Sequence, residues 1–126
     1  MEAKELLAGM LGRTLYVVHS GPIDGVEDDG TYFLDHVRHL VEWEQQGVLF
    51  AAGPFRRDGQ VTMRSMYILR ADSLAHAAAL AAEEPLHKHG VRGFTVDEWT
   101  LNQGRIGLSL DFSSQRGGLD GEPQSR

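Results

Sequence analysis

Two amphipathic segments alternate with short apolar runs, and this alternation restricts the possible folds more than any other property of the chain. The longer segment, Thr31 to Gly47, repeats at steps of three and four residues, which return to the same helical face. Phe33, His36, Leu40, Trp43 and Gly47 therefore share one arc. The second, Asp72 to Glu84, presents Leu74, Ala77 and Ala81, and the same spacing carries Glu84 onto that face just before Pro85. Proline lacks the amide a helix needs next and disfavours helical backbone in the residue before it, so the helix ends there. An imidazole on one inward face and a carboxylate on the other define a candidate site, His36 with Glu84.

The runs between the helices read as strands. Thr14 to His19 is nearly all apolar and β-branched or aromatic, and Ser20-Gly-Pro ends it. An acidic loop follows, in which Asp29 or Thr31 is expected to cap the first main helix by accepting from a free first-turn amide. Gly47 closes that helix, because glycine tolerates a left-handed backbone. Val48 to Ala52 is a second strand, ended by Gly53-Pro54. Asp58-Gly59 is a hairpin signal that makes the third strand, Val61 to Leu69, antiparallel to the second. Asp72 or Ser73 is expected to cap the alanine-rich helix. Leu86 to Gly90 is a connector, Phe94 to Leu101 a fourth strand carrying Trp99, and Ile106 to Phe112 a short fifth. From Ser113 onward the composition is that of a loose tail. A helix within the first twelve residues would be marginal on its own. The expected boundaries are an extension over 1–12, a domain over 13–104 and a second extension over 105–126, its last part flexible.

The order β-α-β-β-α-β is that of an α+β, ferredoxin-like fold, with both helices on one face of an antiparallel sheet. His36 and Glu84 are then placed over the same sheet. The other face alternates too little to be wet, since Leu15 and Val17 point one way while Tyr16 and Val18 point the other. Apolar patches of that extent find partners, so a homodimer packed sheet to sheet is expected.

Bulk properties narrow the function. One core fits in 126 residues, and 41% hydrophobic residues rule out a disordered chain. A formal charge of -6 argues against nucleic acid or an anionic membrane as partner, because both demand clustered positive charge. There is no cysteine, which removes thiolate chemistry and disulfides. Glu2, Lys4 and Glu5 interrupt any signal-like apolar core, and no run reaches the ~20 residues that span a bilayer. The expectation is a soluble cytoplasmic domain with a small-molecule partner.

Several other residues invite a functional reading but have a plainer one. His39 lies at the edge of the His36 stripe, as a rim residue or a second proton carrier. Tyr16, Arg64 and Ser65 lie on strands from which they could orient a substrate. His87 and His89 flank Lys88, but three convergent ligands are not evident, so no metal site is assigned. Asp24, Glu27, Asp28 and Asp29 miss the spacing of a calcium loop. Gly117-Gly118 lacks the strand-loop-helix setting of a phosphate loop. Trp43 and Trp99 read as core or pocket walls.

The arrangement of the first strand, His36, Gly47-Val-Leu-Phe-Ala-Ala-Gly-Pro54, Ala71-Asp-Ser-Leu-Ala-His-Ala-Ala-Ala-Leu-Ala, Glu84-Pro85, Gly90-Val91 and the strand holding Trp99 resembles the YciI-like (YCII-related) proteins. The resemblance covers Leu15 to Gly104. It implies a dimeric α+β barrel of ferredoxin-like protomers, with a buried His and Asp as a catalytic pair and no cofactor. The histidine of that pair maps to His36. Its aspartate maps to Glu84, where this chain departs from the commoner Asp-Pro by one methylene. The resemblance further implies small oxygenated, ring-derived substrates and chemistry of the lyase or isomerase type, such as dehydrochlorination or lactone isomerisation.

In chemical terms, a carboxylate on one ring nitrogen fixes the imidazole tautomer and leaves the other nitrogen for substrate. Such a pair moves protons in an activated substrate. The residues alone leave three readings open: an acid-base enzyme, a non-catalytic binding or accessory protein in which the pair is a structural hydrogen bond, and a cofactor-free monooxygenase on the same scaffold.

Overall fold

A computed structural model describes residues 2–120, which fall into two compact units. In chain order the elements are α1 (Ala3–Ala8), β1 (Arg13–Pro22), α2 (Phe33–Gln45), β2 (Leu49–Arg57), β3 (Gln60–Leu69), α3 (Leu74–Glu83), α4 (Pro85–Lys88), β4 (Arg92–Leu101), β5 (Leu108–Asp111) and β6 (Arg116–Leu119). The larger unit, Gly12–Leu101, holds β1 to β4 and α2 to α4. Its sheet has the order β2-β3-β1-β4, and every neighbouring pair is antiparallel. β1 and β2 thus run parallel with β3 between them, which is the ferredoxin-like arrangement.

Register explains where the core lies. Val18 faces Tyr67 on one side and Val96 on the other. With Leu69, these side chains point toward the helices and pack with Trp43 of α2 and Ala81 of α3. Ala77 and Ala81 are wholly buried, and their small size is what lets α3 lie close to the sheet. Each large side chain buried in this way contributes roughly 1.5–3 kcal/mol. On the opposite face Leu15, Val17 and Ile68 cluster with Phe50, Met66 and Leu101. The wide exposed apolar face expected there is only partly present: Leu15, Val17 and Ile68 are already buried, and Trp99 is 37% exposed.

Helix ends follow local chemistry. Gly47 (φ 79°) closes α2 in a Schellman motif: the Val48 amide donates to the Trp43 carbonyl and the Gly47 amide to that of Glu44. Ser73 caps α3 by accepting from the His76 amide. The cap expected for α2 is absent. Asp29 instead accepts from the amide and hydroxyl of Thr31, a local turn that uses up its oxygen before the helix begins.

Other boundaries differ from expectation. β2 runs through Gly53-Pro54 to Arg57, because β2 is an edge strand where proline's missing amide faces no partner. The connector after Pro85 is helical. The second unit takes residues 2–11 and 102–120 and contains α1 and a β5-β6 hairpin. The hairpin replaces the loose tail expected from Ser113; the expected flexibility of the last part falls on 121–126, outside the described residues. No helix among the described residues is long and apolar enough to cross a membrane.

Candidate functional site

The site is built around a break in the chain. Glu84 is not the last residue of α3 but the hinge between α3 and α4. Its backbone is extended (φ −62°, ψ 131°) because Pro85 follows. Pro85 occupies the first turn of α4, where a missing amide is harmless, and the Glu84 side chain accepts from the Leu86 amide at 3.4 Å as cap. Gly90 (φ 70°) ends α4 with a second Schellman motif, Val91 amide to Leu86 carbonyl, and directs the chain into β4.

This turn brings the carboxylate beneath α2. His36 Nδ1 and Glu84 Oε1 lie 2.6 Å apart. Glu84 is fully buried, and the His36 side chain is 12% exposed. Burial alone would raise the Glu84 carboxyl pKa. The hydrogen bond from His36, the electrostatic influence of the His36 and His87 rings and the Leu86 amide outweigh it, so the net direction is down. Glu84 is therefore the ionised partner, and His36 donates through Nδ1. The other ring nitrogen, Nε2, has no hydrogen bond among the described residues, and His36 lines a cavity of about 360 Å³.

A second histidine lies behind the pair. His87, buried on α4, donates from Nδ1 to the Ala81 carbonyl at 2.8 Å, and its Nε2 accepts from Ser20 Oγ at 2.7 Å. Its Nδ1 is also 3.6 Å from Glu84 Oε2. Burial lowers its pKa, helped by the charges of His36 and Arg92 and opposed by Ala81 and Glu84. His87 is thus neutral, with its tautomer set by the two partners. Tyr67 stands between the two histidines, with ring centroids 6.0 Å from His36 and 5.9 Å from His87.

Of the residues singled out in the sequence, Arg64 and Ser65 border the cavity together with His36. Tyr16 does not. It is buried opposite Leu69 and Glu98, several residues along β1 from Ser20, and reaches no part of the cavity. His39 is also elsewhere, because its helical position turns it to a separate groove beside Pro85 and His89, with its ring edge-on to Trp43 at 4.5 Å. Phe33 is 58% exposed and stands at the cavity wall rather than in the core. His87 and His89 do not converge, since His89 stacks on Tyr32 at 3.9 Å, and among the described residues no cluster could hold a metal ion.

Sequence reading assigns Ser20, Tyr67 and Arg92 no place in the site and weighs His87 only as a metal ligand. One signal for His87 was present. Glu-Pro is a cap-and-first-turn signature, and a helix starting at Pro85 puts residues 84 and 87 on one side. Ser20 and Tyr67 carry no comparable mark, because a hydroxyl on an apolar strand reads as ordinary strand composition.

Fold and site together define a ferredoxin-like α+β domain whose buried histidine-carboxylate pair opens on a small cavity. The YCII-related domain family matches residues 14–100, and the chain belongs to that family. No curated protein matches it in sequence. Among solved structures it is similar in fold to the 5-chloro-2-hydroxyhydroquinone dehydrochlorinase TftG from Burkholderia phenoliruptrix AC1100, determined in complex with 2,5-dihydroxybenzoquinone. The TM-score is 0.50 at 18% identity, covering 68% of this chain and 92% of that one.

Proposed function

We propose that the protein is a small enzyme that needs no cofactor and transfers protons on a small oxygenated ring compound, in lyase or isomerase chemistry. The observation that carries this reading is the 2.6 Å contact between His36 Nδ1 and the fully buried Glu84, with the other imidazole nitrogen left to the cavity. The carboxylate holds the imidazole in one tautomer and stabilises its protonated form, so Nε2 can take a proton and return it. A positioned base of this kind contributes about 10²–10⁴-fold.

Elimination of HCl is the favoured form, supported by fold similarity to a dehydrochlorinase. In that reaction Nε2 removes a proton from the substrate, the freed electron pair forms the new double bond, and chloride leaves with its own bonding pair. The cavity, at about 360 Å³, lies at the low end of ligand sites and suits a single ring. A sheet-to-sheet homodimer belongs to the same proposal, drawn from the apolar face that includes Trp99.

The test is a panel of chlorinated hydroxyhydroquinones and muconolactones, followed by chloride release and ultraviolet absorbance under anaerobic conditions. Turnover by the native protein and its loss in His36→Ala support the reading. Turnover that survives His36→Ala, or that requires oxygen, overturns it.

A further inference from the structure

We infer that Tyr67 and Arg92 form an oxyanion subsite beside His36, so that the cavity selects ring compounds whose reacting oxygen is a phenolate or enolate. The inference rests on the acid-base reading only in naming that oxygen as the reacting one; the binding site itself stands on separate observations.

The first is an unpaired hydroxyl. Tyr67 is 1% exposed and borders the cavity, yet its phenol oxygen has no hydrogen-bond partner. Leaving a buried hydroxyl unpaired costs roughly 1–3 kcal/mol, so the position is built for a partner that arrives with the ligand. Ser20 draws on this phenol and lowers its pKa, but no direct hydrogen bond joins the two, and Ser20 gives its own proton to His87 at 2.7 Å. Burial and the nearby charge of Glu84 push the Tyr67 pKa up to about 12, so it stays protonated and acts as a donor. It is a poor base and a good anchor for an oxygen that bears charge.

The second is the cation beside it. Arg92, at the start of β4 and opposite Pro22 in the register, borders the same cavity with a side chain only 11% exposed. Among the described residues its one ion pair, with Asp28, is 3.5 Å long, which leaves most of its five donor hydrogens uncommitted. Tyr67 borders the same cavity, and the guanidinium's charge is felt at both Tyr67 and His87. Among the described residues none that lines the cavity is acidic, in a chain whose net charge is -6. Arg56, Arg64 and Arg92 all border the cavity, and the buried carboxylate of Glu84 lies behind His36.

These groups match what proton removal creates. When Nε2 of His36 takes a proton from a hydroxyl or from the carbon beside a carbonyl, negative charge develops on an oxygen. A preorganised phenol and guanidinium in a water-poor site stabilise that charge more than they stabilise the neutral reactant. The 6.0 Å between the His36 and Tyr67 rings lets one small ring touch both.

The experiment uses para-nitrophenol as probe and para-nitroanisole as its uncharged counterpart, with no turnover required. Near the phenol's own ionisation point, adding native protein should increase the phenolate absorbance, because binding favours the anion. Tyr67→Phe and Arg92→Gln should each weaken phenolate binding by about tenfold, or ~1.4 kcal/mol, while the anisole binds native and variants alike. Arg92→Lys keeps a charge for Asp28 and guards against loss of fold, which thermal melting followed by circular dichroism checks for each variant. No preference in the native protein, or native-like phenolate binding in both Tyr67→Phe and Arg92→Gln, overturns the subsite while leaving the role of His36 intact. A preserved subsite with undiminished turnover in His36→Ala would instead overturn the acid-base reading.

Discussion

Pro85 holds Glu84 in an extended conformation, and this one residue converts the end of a helix into a buried carboxylate 2.6 Å from His36. With alanine at position 85, α3 gains a residue free to continue the helix, and the Glu84 side chain would rotate away from α2 with its turn. Pro85→Ala is expected to lower turnover by at least about tenfold, the value of one well-placed charge-assisted hydrogen bond. NMR should show a displaced His36 ring signal in a protein that still melts cooperatively. An unchanged His36 signal would show that packing, rather than proline, sets the hinge.

The two members of the pair should respond differently to substitution. His36→Ala removes the one side chain that, among the described residues, hydrogen-bonds Glu84 and strands a buried charge, so it should cost about 3 kcal/mol of stability as well as activity. Glu84→Gln removes the charge itself and keeps an oxygen to accept from Nδ1, so its stability cost should be only about 1 kcal/mol. Its turnover should still fall by about 10²–10⁴-fold, since the imidazolium loses its counter-charge. Urea titrations of both variants measure the contrast. A greater loss of stability in Glu84→Gln than in His36→Ala would mean the carboxylate is neutral in the native protein.

Much of this was legible in the residues, for identifiable reasons. Period-2 and period-3.6 patterns fix strands and helices, so the order of elements followed from Leu15–Val18, from the stripe around Trp43, and from Asp58-Gly59. Reading Glu84 against Ala77 and Ala81 placed it over the same sheet as His36, and the two side chains lie 2.6 Å apart although Glu84 lies just beyond the helix. What stayed hidden depends on tertiary geometry. Tyr16 and Tyr67 are indistinguishable as strand tyrosines facing the helices, and only the register, Tyr16 opposite Leu69 and Tyr67 opposite Val18, decides which reaches the cavity. The C-terminal hairpin escaped because glycine-rich β6 has little strand propensity and is held by its pairing with β5.

Gly47 offers a test of local backbone cost. Its φ is 79°, and a Cβ placed there would meet nothing within 4 Å. Gly47→Ala therefore carries no steric clash, only the penalty of a left-handed backbone, and should destabilise by about 1 kcal/mol without changing turnover. A larger loss would indicate that α2 shifts and carries His36 with it.

The proposed homodimer can be weighed in solution. Light scattering should give twice the 13.9 kDa chain mass, and Trp99→Glu, at the partly exposed position on the sheet face, should shift the mass toward that of the monomer. A native protein of single-chain mass would remove the dimer from the proposal without touching the site.

Acid stability should expose His87. Its folded pKa lies below the ordinary 6.5 because burial penalises the charged ring. As pH falls through 6.5, the unfolded chain takes up this proton before the folded one, so more protons are bound in the unfolded state and stability rises with pH in this window. The contribution is complete above 6.5 and is lost progressively as pH drops toward the lowered native value. Glu84, whose pKa is also depressed, adds a second loss that begins only near its ordinary value of 4.5. Between these points the difference in urea stability between native protein and His87→Gln isolates the first group, because glutamine can still bridge Ser20 and the Ala81 carbonyl without titrating. Native stability should decline from about pH 6.5 downward, and the variant should stay flatter until the carboxylates protonate. Parallel curves would show that His87 takes up its proton at the same pH whether folded or unfolded. A native curve that instead falls as pH rises through 6.5 would show that the folded ring is charged, its 2.7 Å contact with Ser20 made by a donating ring nitrogen.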